Sequence, residues 1–545
     1  MTKSRKIFQL ILILSLLLAF IGNASVAIPP KDAVVQIPSQ LAALAADAPD
    51  ELVRVIVYRA GQSDPSDQMI QELGGTILND LQLINAVAVQ IPAGSLPQLA
   101  GLGGRVALDA PVVSMGKPVN DPCNGECPPN TYLDTLGVRQ VWNMGFHGEG
   151  IGVAVIDSGV FPDRDFSEGP GKPQSRIVAQ VSLNSRSGTD EYGHGTHVAG
   201  IVGGNGVASD GLYAGIAPKV HLISLKISDE FGMAYESDTV AAMQWVFENK
   251  DQYNIRVVNL SIQSTIEQSY NESALDAAAE ILWFNGVVIV AASGNWYGGD
   301  VYPLNVAPGN DPFIITVGAA DEKGTSILQD DFIPNFSVWG QTMDGFMKPE
   351  IFAPGVDIIS VLSFGSDWYY DYPDRAVLGN EYFRISGTSM ATSMVSGAVT
   401  LLLQAEPNLT PDQVKYRVIN ANEWVGPGRY LSVYKMLTTP TTESANQGII
   451  PHMLLAKMAM IAYWSSQNGG ETIDWANIDW SAVNWNAVNW DAVNWNAVNW
   501  NAVNWNAVNW NAVNWNAVNW NAVNWNAVNW NAVNWNAVNW NAVNW

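Results

Sequence analysis

The chain has 545 residues, enough for three or four folding units of about 100–200 residues each. Its 26 lysines and arginines face 51 aspartates and glutamates, and the net charge of −25 repels nucleic-acid phosphates and excludes nucleic acid as a partner. Charged residues make up only 14% of the chain, and part of that oddity sits at one end, where residues 481–545 carry one charged side chain, Asp491, and 13 of the 23 tryptophans.

At the N-terminus, Lys3, Arg5 and Lys6 precede an apolar run from Ile7 to Ile21, followed by small residues at Ser25 and Ala27. This pattern reads as an export signal over residues 1–27. A run of fifteen residues falls short of the about 20 that cross a bilayer, which favours a cleaved leader over a membrane anchor. An exported chain meets oxidising conditions, so Cys123 and Cys127, its only cysteines, are expected to close a small disulfide loop. Zinc is the weaker reading, since two thiols without further Cys or His cannot complete a tetrahedral shell.

After a spacer at 28–50, residues 51–111 alternate strand-like and helix-like pieces: Leu52–Tyr58, Asp67–Leu73, Thr76–Asn79, Ala86–Ile91, Ser95–Leu102 and Val106–Leu108. A βαββαβ order of this length predicts a small ferredoxin-like α+β domain. Residues 112–131, rich in proline and bearing both cysteines, read as an exposed linker.

From 132 to 438 the pattern becomes short continuous apolar strands, each followed by a helical stretch. The strands are Gly152–Ile156, Val220–Ile227, Val257–Ile262, Val287–Ala292 and Ile314–Val317, and the helices include Ser237–Asn249 and Ser273–Asn285. Strands without alternation are buried on both faces, so the fold class is α/β with a doubly wound parallel sheet covered by helices. In such sheets function gathers at the carboxyl ends of strands.

Polar signals stand at those ends. Val153-Ala154-Val155-Ile156 runs into Asp157-Ser158-Gly159, and Gly193-His194-Gly195-Thr196-His197 opens a helical pattern. Ser386-Gly387-Thr388-Ser389 precedes a long apolar helix, and Ala291-Ala292-Ser293-Gly294-Asn295 ends a strand. Each piece alone is more often structural. Together they supply a nucleophile, a base and an orienting acid: serine needs an imidazole to take its proton, and the imidazole needs a buried carboxylate to hold its tautomer. The asparagine amide can donate to a developing oxyanion.

The order Asp157-Ser158-Gly159, His194-Gly195-Thr196-His197, Ser293-Gly294-Asn295, Gly387-Thr388-Ser389-Met390-Ala391 resembles the subtilisin-like serine peptidases (subtilases), over about residues 132–438. Ile216-Ala217-Pro218, Thr316-Val317-Gly318-Ala319 and Lys348-Pro349-Glu350-Ile351-Phe352-Ala353-Pro354-Gly355 agree with it. The resemblance implies a subtilisin-like fold, a triad of Asp157, His194 and Ser389, an oxyanion hole of Asn295 with the Ser389 N–H, and a structural His197. It implies substrate contacts along Ser261, Ile262 and Gln263 and along Ala291, Ala292, Ser293 and Gly294. No cofactor is required for the chemistry; the family often holds structural calcium, but the sequence places no metal ligands.

Two positions depart from the family pattern. Ser393 and Met394 stand where the family usually has Pro and His after the nucleophile, leaving the helix one more backbone donor. Gln263 replaces a usual Gly beside the S1 pocket, where it either narrows the pocket or faces solvent without effect. The resemblance also assigns 51–111 as an inhibitor-type propeptide and 112–131 as a linker holding the maturation site; a permanent accessory domain is the alternative.

After a second linker at 439–470, residues 471–545 repeat Asn-Ala-Val-Asn-Trp, with Trp at every fifth position from Trp475 to Trp545. A period of five spreads Trp around a helix and sends it to alternate faces of a strand. Two readings stand level: a solenoid, and a low-complexity tail without a single structure. The whole reads as a secreted or cell-surface serine endopeptidase made as a zymogen. Its partners are protein or peptide substrates and its own propeptide, and the repeats offer a route to cell-surface association. The alternative is a surface or adhesive repeat protein whose peptidase serves its own maturation.

Overall fold

A computed structural model describes residues 37–58, 67–101, 105–114, 130–183, 187–229, 231–296, 298, 302–426 and 428–455. The expected leader, the expected Cys123–Cys127 loop and the Trp-rich repeats lie outside the described residues. No helix among the described residues is long and apolar enough to cross a membrane.

The first unit opens with helix α1 (Ser39–Asp47), inside the expected spacer, whose Leu41 is buried against the unit. Then follow β1 (Leu52–Tyr58), α2 (Asp67–Glu72), β2 (Thr76–Leu81), β3 (Ala86–Pro92), α3 (Leu96–Gly101) and β4 (Arg105–Leu108). They form a four-stranded antiparallel sheet in the order β2-β3-β1-β4. Strand side chains alternate between faces, and β1 divides accordingly. Val53, Val55 and Val57 pack into the unit's own core with Val87, Val89 and Ile91. Ile56 and Tyr58, with Ala86 and Ala88 beside them, join the core of the larger domain instead.

That larger domain is built on a nine-stranded sheet. In chain order its central strands are β6 (Gly152–Asp157), β8 (His221–Lys226), β10 (Ile255–Leu260), β12 (Val288–Ala292), β13 (Ile315–Ala320) and β14 (Ile351–Pro354). Outer strands are β7 (Ile177–Ser182) at one edge, and β17 (Asn422–Val425) and β18 (Gly428–Leu431) at the other. The order is β17-β18-β14-β13-β12-β10-β6-β8-β7, parallel throughout except for the edge hairpin β17–β18.

Every residue of β6, β12, β13 and β14 is buried, which is why these strands read as unbroken apolar runs. One face carries α4 (His194–Gly203) and α8 (Thr388–Ala405), the latter buried from Thr388 to Leu403. Helices α5 (Glu236–Tyr253) and α6 (Ala274–Phe284) pack together and against the sheet, and the first unit docks on them.

Two stretches expected to be linkers differ in the structure. Pro111–Ser114 is strand β5, the middle of a small antiparallel sheet between β9 (Ala234–Tyr235) and β11 (Ile262–Ser264), with Val112 buried. It is held in place by pairing with two strands distant in sequence, which local composition does not register. Residues 439–455 form a strap laid on the larger domain: Asn446 donates to the Phe313 carbonyl, Tyr270 to that of Ile450, and the His452 N–H to Glu280.

Candidate active site

Asp157 is the last residue of β6, and its carboxylate is buried. Its Oδ1 lies 2.7 Å from His194 Nδ1 and accepts from the Ser158 N–H at 2.7 Å. His194 is the first residue of α4 and is fully buried. Its other nitrogen, Nε2, lies 3.1 Å from Ser389 Oγ. Ser389, in the first turn of α8, also donates to the Ser261 carbonyl at 3.2 Å. Three residues far apart in sequence thus form one hydrogen-bonded line from carboxylate to imidazole to hydroxyl, the arrangement that makes serine nucleophilic.

The approach of α4 to the Asp157 turn requires glycine at position 195. A Cβ there would sit 2.2 Å from the Gly159 carbonyl oxygen. Asp190, a residue the sequence reading missed, ties the two segments together. Its buried carboxylate accepts from Ser158 Oγ at 2.8 Å, the Gly193 N–H at 2.7 Å, the Thr196 N–H at 2.8 Å and Thr196 Oγ1 at 2.6 Å. Ser158 Oγ in turn accepts from the Gly195 N–H at 2.8 Å. Burial pushes the Asp190 carboxyl up from its ordinary value and the four hydrogen bonds oppose it.

His197 is held apart from the chemistry. Its Nε2–H donates to the Phe383 carbonyl at 2.9 Å and the Ile358 carbonyl at 3.2 Å, and burial pushes its pKa down to about 3, so it stays neutral.

Asn295 follows β12 by three residues. Its Oδ1 accepts from the Thr388 N–H and Thr388 Oγ1, both at 3.0 Å, which turns the donor end of the amide away from α8. Ala291 and Ala292 close β12, with Ser293 and Gly294 leading to that amide. Departure from the family pattern at Ser393 leaves α8 continuous: Ser393 Oγ bonds back to the Ser389 carbonyl at 2.8 Å within an unbroken helix.

Beside Ser389, β11 pairs antiparallel with β5: Ile262 opposite Ser114, Gln263 opposite Val113 and Ser264 opposite Val112. Ala234 and Tyr235 flank β5 on its other side, opposite Val112 and Pro111. Val112 lines a small cavity with Ile227, Ala234 and Ile262. Ser261 and Ile262, expected from the sequence, are therefore adjacent to the nucleophile and to the bound strand. Ser264 and the β9 strand join them without a sequence signal. The side-chain oxygen of Gln263 is buried with no hydrogen-bond partner among the described residues.

The first unit reaches this cleft through a polar contact. Arg54 Nε donates to Asp109 at 2.8 Å, one terminal nitrogen donates to Ser237 Oγ at 3.0 Å, and the guanidinium carbon lies 3.6 Å from the Tyr235 ring centroid. Asp109 accepts from the Ser237 N–H at 2.9 Å, capping the N-terminus of α5. Next to it Glu236 is buried. Burial, with the Asp109 charge adding, pushes its pKa up to about 8 against hydrogen bonds from Ser264 and Gln268.

Among the described residues no group of three or more His, Cys, Asp or Glu is arranged to hold a metal ion. Backbone carbonyls of the kind hard cations use converge at Pro312, Phe313 and Ile314, but there they accept from Lys415 Nζ at 2.7, 3.2 and 3.0 Å. Glu350 bridges the two ammonium groups, 2.8 Å from Lys415 and 2.7 Å from Lys348. The Lys415 ammonium takes up all three carbonyls.

The chain is similar to known proteins over its larger domain. The family model of the subtilase family matches residues 148–453. The chain is 36% identical over 284 residues to the serine protease AprX of Bacillus subtilis (strain 168), covering 51% of this chain and 62% of AprX. It is 30% identical over 291 residues to subtilisin Savinase of Lederbergia lenta, covering 52% of this chain and 87% of that protein. The crystal structure of fervidolysin from Fervidobacterium pennivorans, a keratinolytic enzyme related to subtilisin, superposes with a TM-score of 0.56 at 24% identity, over 73% of this chain and 62% of that one. The last likeness is one of fold. The chain spans less than two thirds of the length of AprX and of fervidolysin.

Proposed function

The chain belongs to the subtilase family, and on that premise we propose that it is a serine endopeptidase cutting peptide bonds through an acyl-enzyme on Ser389. The observation that carries this reading is the line Asp157–His194–Ser389, with links of 2.7 and 3.1 Å. His194 Nε2 takes the Ser389 proton as Oγ attacks the scissile carbonyl. Asp157 keeps the other nitrogen protonated and offsets the imidazolium charge. The oxyanion is stabilised by the Asn295 amide and the Ser389 N–H. His194 then gives its proton to the departing amine, and a water, deprotonated by the same imidazole, releases the acyl group.

We further propose that the enzyme is exported as a zymogen with the unit ending at Ser114 as its inhibitor. In support, β5 lies antiparallel on β11 in the manner of a bound peptide, beside the nucleophile. The pairing ends with Ser114 opposite Ile262, and the preceding residue of that strand's partner, Ser261, accepts from Ser389 Oγ. Counting one residue on from Ser114 assigns the maturation cut to the bond between Met115 and Gly116, within the expected 112–131 interval. The test is expression of the Ser389→Ala variant. It should hydrolyse no unfolded protein substrate and accumulate at precursor length, while the wild type processes itself to a new N-terminus at Gly116. A processed Ser389→Ala chain made without any other protease would defeat the proposal.

A further inference from the structure

A base held only by its two nitrogens is incompletely held. Hydrogen bonds at Nδ1 and Nε2 fix the direction of the buried His194 ring, and the groups packed against it fix the tilt of its plane about χ2. A change of tilt turns the Nε2 lone pair from the Ser389 hydroxyl. Trp368 supplies a third contact. Its ring meets the His194 ring edge-to-face, with centroids 5.5 Å apart and planes at 90°, within the preferred geometry for aromatic pairs.

Trp368 belongs to an arm that emerges between β15 (Ile358–Val361) and β16 (Tyr382–Ile385), four residues before Ser389. The arm carries a short helix, α7 (Asp367–Asp371), capped by Ser366. Trp368 is buried, stacked on Phe383 at 5.3 Å and tilted against Tyr192 at 5.6 Å. The arm also grips the turn that presents the base. Ser363 Oγ donates to the Asp190 carbonyl at 2.6 Å, and the Asp367 N–H to that of Glu191 at 2.8 Å. Gly193 lies so close beneath it that a Cβ would fall 2.8 Å from Ser366 Oγ and 3.2 Å from Trp368 Cβ, at a φ of +110° that itself favours glycine. One arm therefore touches the base and leads directly into the nucleophile.

We propose that Trp368 is a positioning residue for the reaction, fixing the tilt of the His194 imidazole through ring contact while making no contact with substrate. This rests on the endopeptidase reading above. Loss of alignment at the reacting atoms lowers the chemical step and leaves ground-state binding alone. Trp368→Leu, which keeps bulk without a ring, should lower kcat about tenfold with KM within about twofold, and Trp368→Phe should recover at least about half of the wild-type kcat. Rates are taken per active site, titrated with a fluorophosphonate.

Unchanged kcat in Trp368→Leu overturns the proposal, as does a Phe variant no better than Leu, the mark of packing alone. Should Trp368→Leu fail to fold, Phe383→Leu removes the stack behind Trp368 and keeps both His194 hydrogen bonds. It should lower kcat about threefold at constant KM, and wild-type kcat there would likewise overturn the proposal. A wild-type enzyme that cuts no peptide at all would refute the endopeptidase reading instead.

Discussion

The nine-stranded and four-stranded sheets of this protein bury their apolar surface in different ways. Strands β6, β12 and β13 are buried on both faces by helices of their own domain. Strand β1 buries Val53, Val55 and Val57 internally but spends Ile56 and Tyr58 on a neighbour. At about 1.5–3 kcal/mol for a fully buried aliphatic or aromatic side chain, the borrowed face outweighs the Arg54–Asp238 ion pair across the junction, 3.9 Å long with Arg54 partly exposed. Apolar area thus supplies most of the attachment, and Arg54, held by Asp109 of its own unit, adds polar contacts to Ser237 and Tyr235. The large sheet is covered by its own helices, whereas the small unit places one face of its sheet in its neighbour's core. That asymmetry suits the inhibitor role proposed for the small unit.

Chemistry is expected to respond most strongly to changes at the carboxyl ends of the large sheet. Asn295→Ala should lower kcat about 10²–10³-fold with little change in KM, because the lost hydrogen bond strengthens only as the oxyanion forms. Steady-state kinetics of the processed enzyme on a peptide substrate decide this. A variant that loses affinity but keeps kcat would remove Asn295 from the oxyanion hole.

The next effect lies at the junction. Arg54→Ala leaves the buried Asp109 carboxylate with only Ser237 as partner, a loss of about 1–3 kcal/mol. A chain covering residues 37–114 and carrying this change should inhibit processed enzyme about 10- to 100-fold more weakly than the unchanged one. Equal inhibition would mean that the apolar face alone sets the affinity.

The smallest effect is one of pH. Glu236 lies buried at the junction beside Asp109 of the docked unit, and burial with that added charge raises its pKa to about 8. The docked state holds a proton that a solvated carboxyl would release. The associated stability is complete below the ordinary carboxylate range and is lost as pH rises toward and through 8. Inhibition by the small domain should weaken between about pH 5 and 8, and Glu236→Gln should flatten the curve. A Gln variant with the same slope would assign the dependence to another group.

Legibility in the sequence followed the same division. Asp157, His194, Asn295 and Ser389 stand out in the sequence because each sits in a short motif at the end of a continuous apolar strand or the start of a helix. The parallel strands were found because burial on both faces leaves no alternation to misread. The βαββαβ order of β1 to β4 came from glycines and prolines between short periodic pieces. What escaped depends on distant partners. Pro111–Ser114 has a linker's composition and becomes a strand only between β9 and β11. Asp190 is an unremarkable acid until its four donors converge on it. The strap at 439–455 has no periodicity of its own and is held by Phe313, Tyr270 and Glu280.

The central claim, that Ser389 is the nucleophile and His194 its base, is tested most directly by labelling the wild-type protein with a fluorophosphonate and mapping the modified peptide. The account predicts one phosphonylated residue, Ser389, and loss of the label in His194→Ala. Label on a different serine, or undiminished labelling of Ser389 without the imidazole, would contradict it.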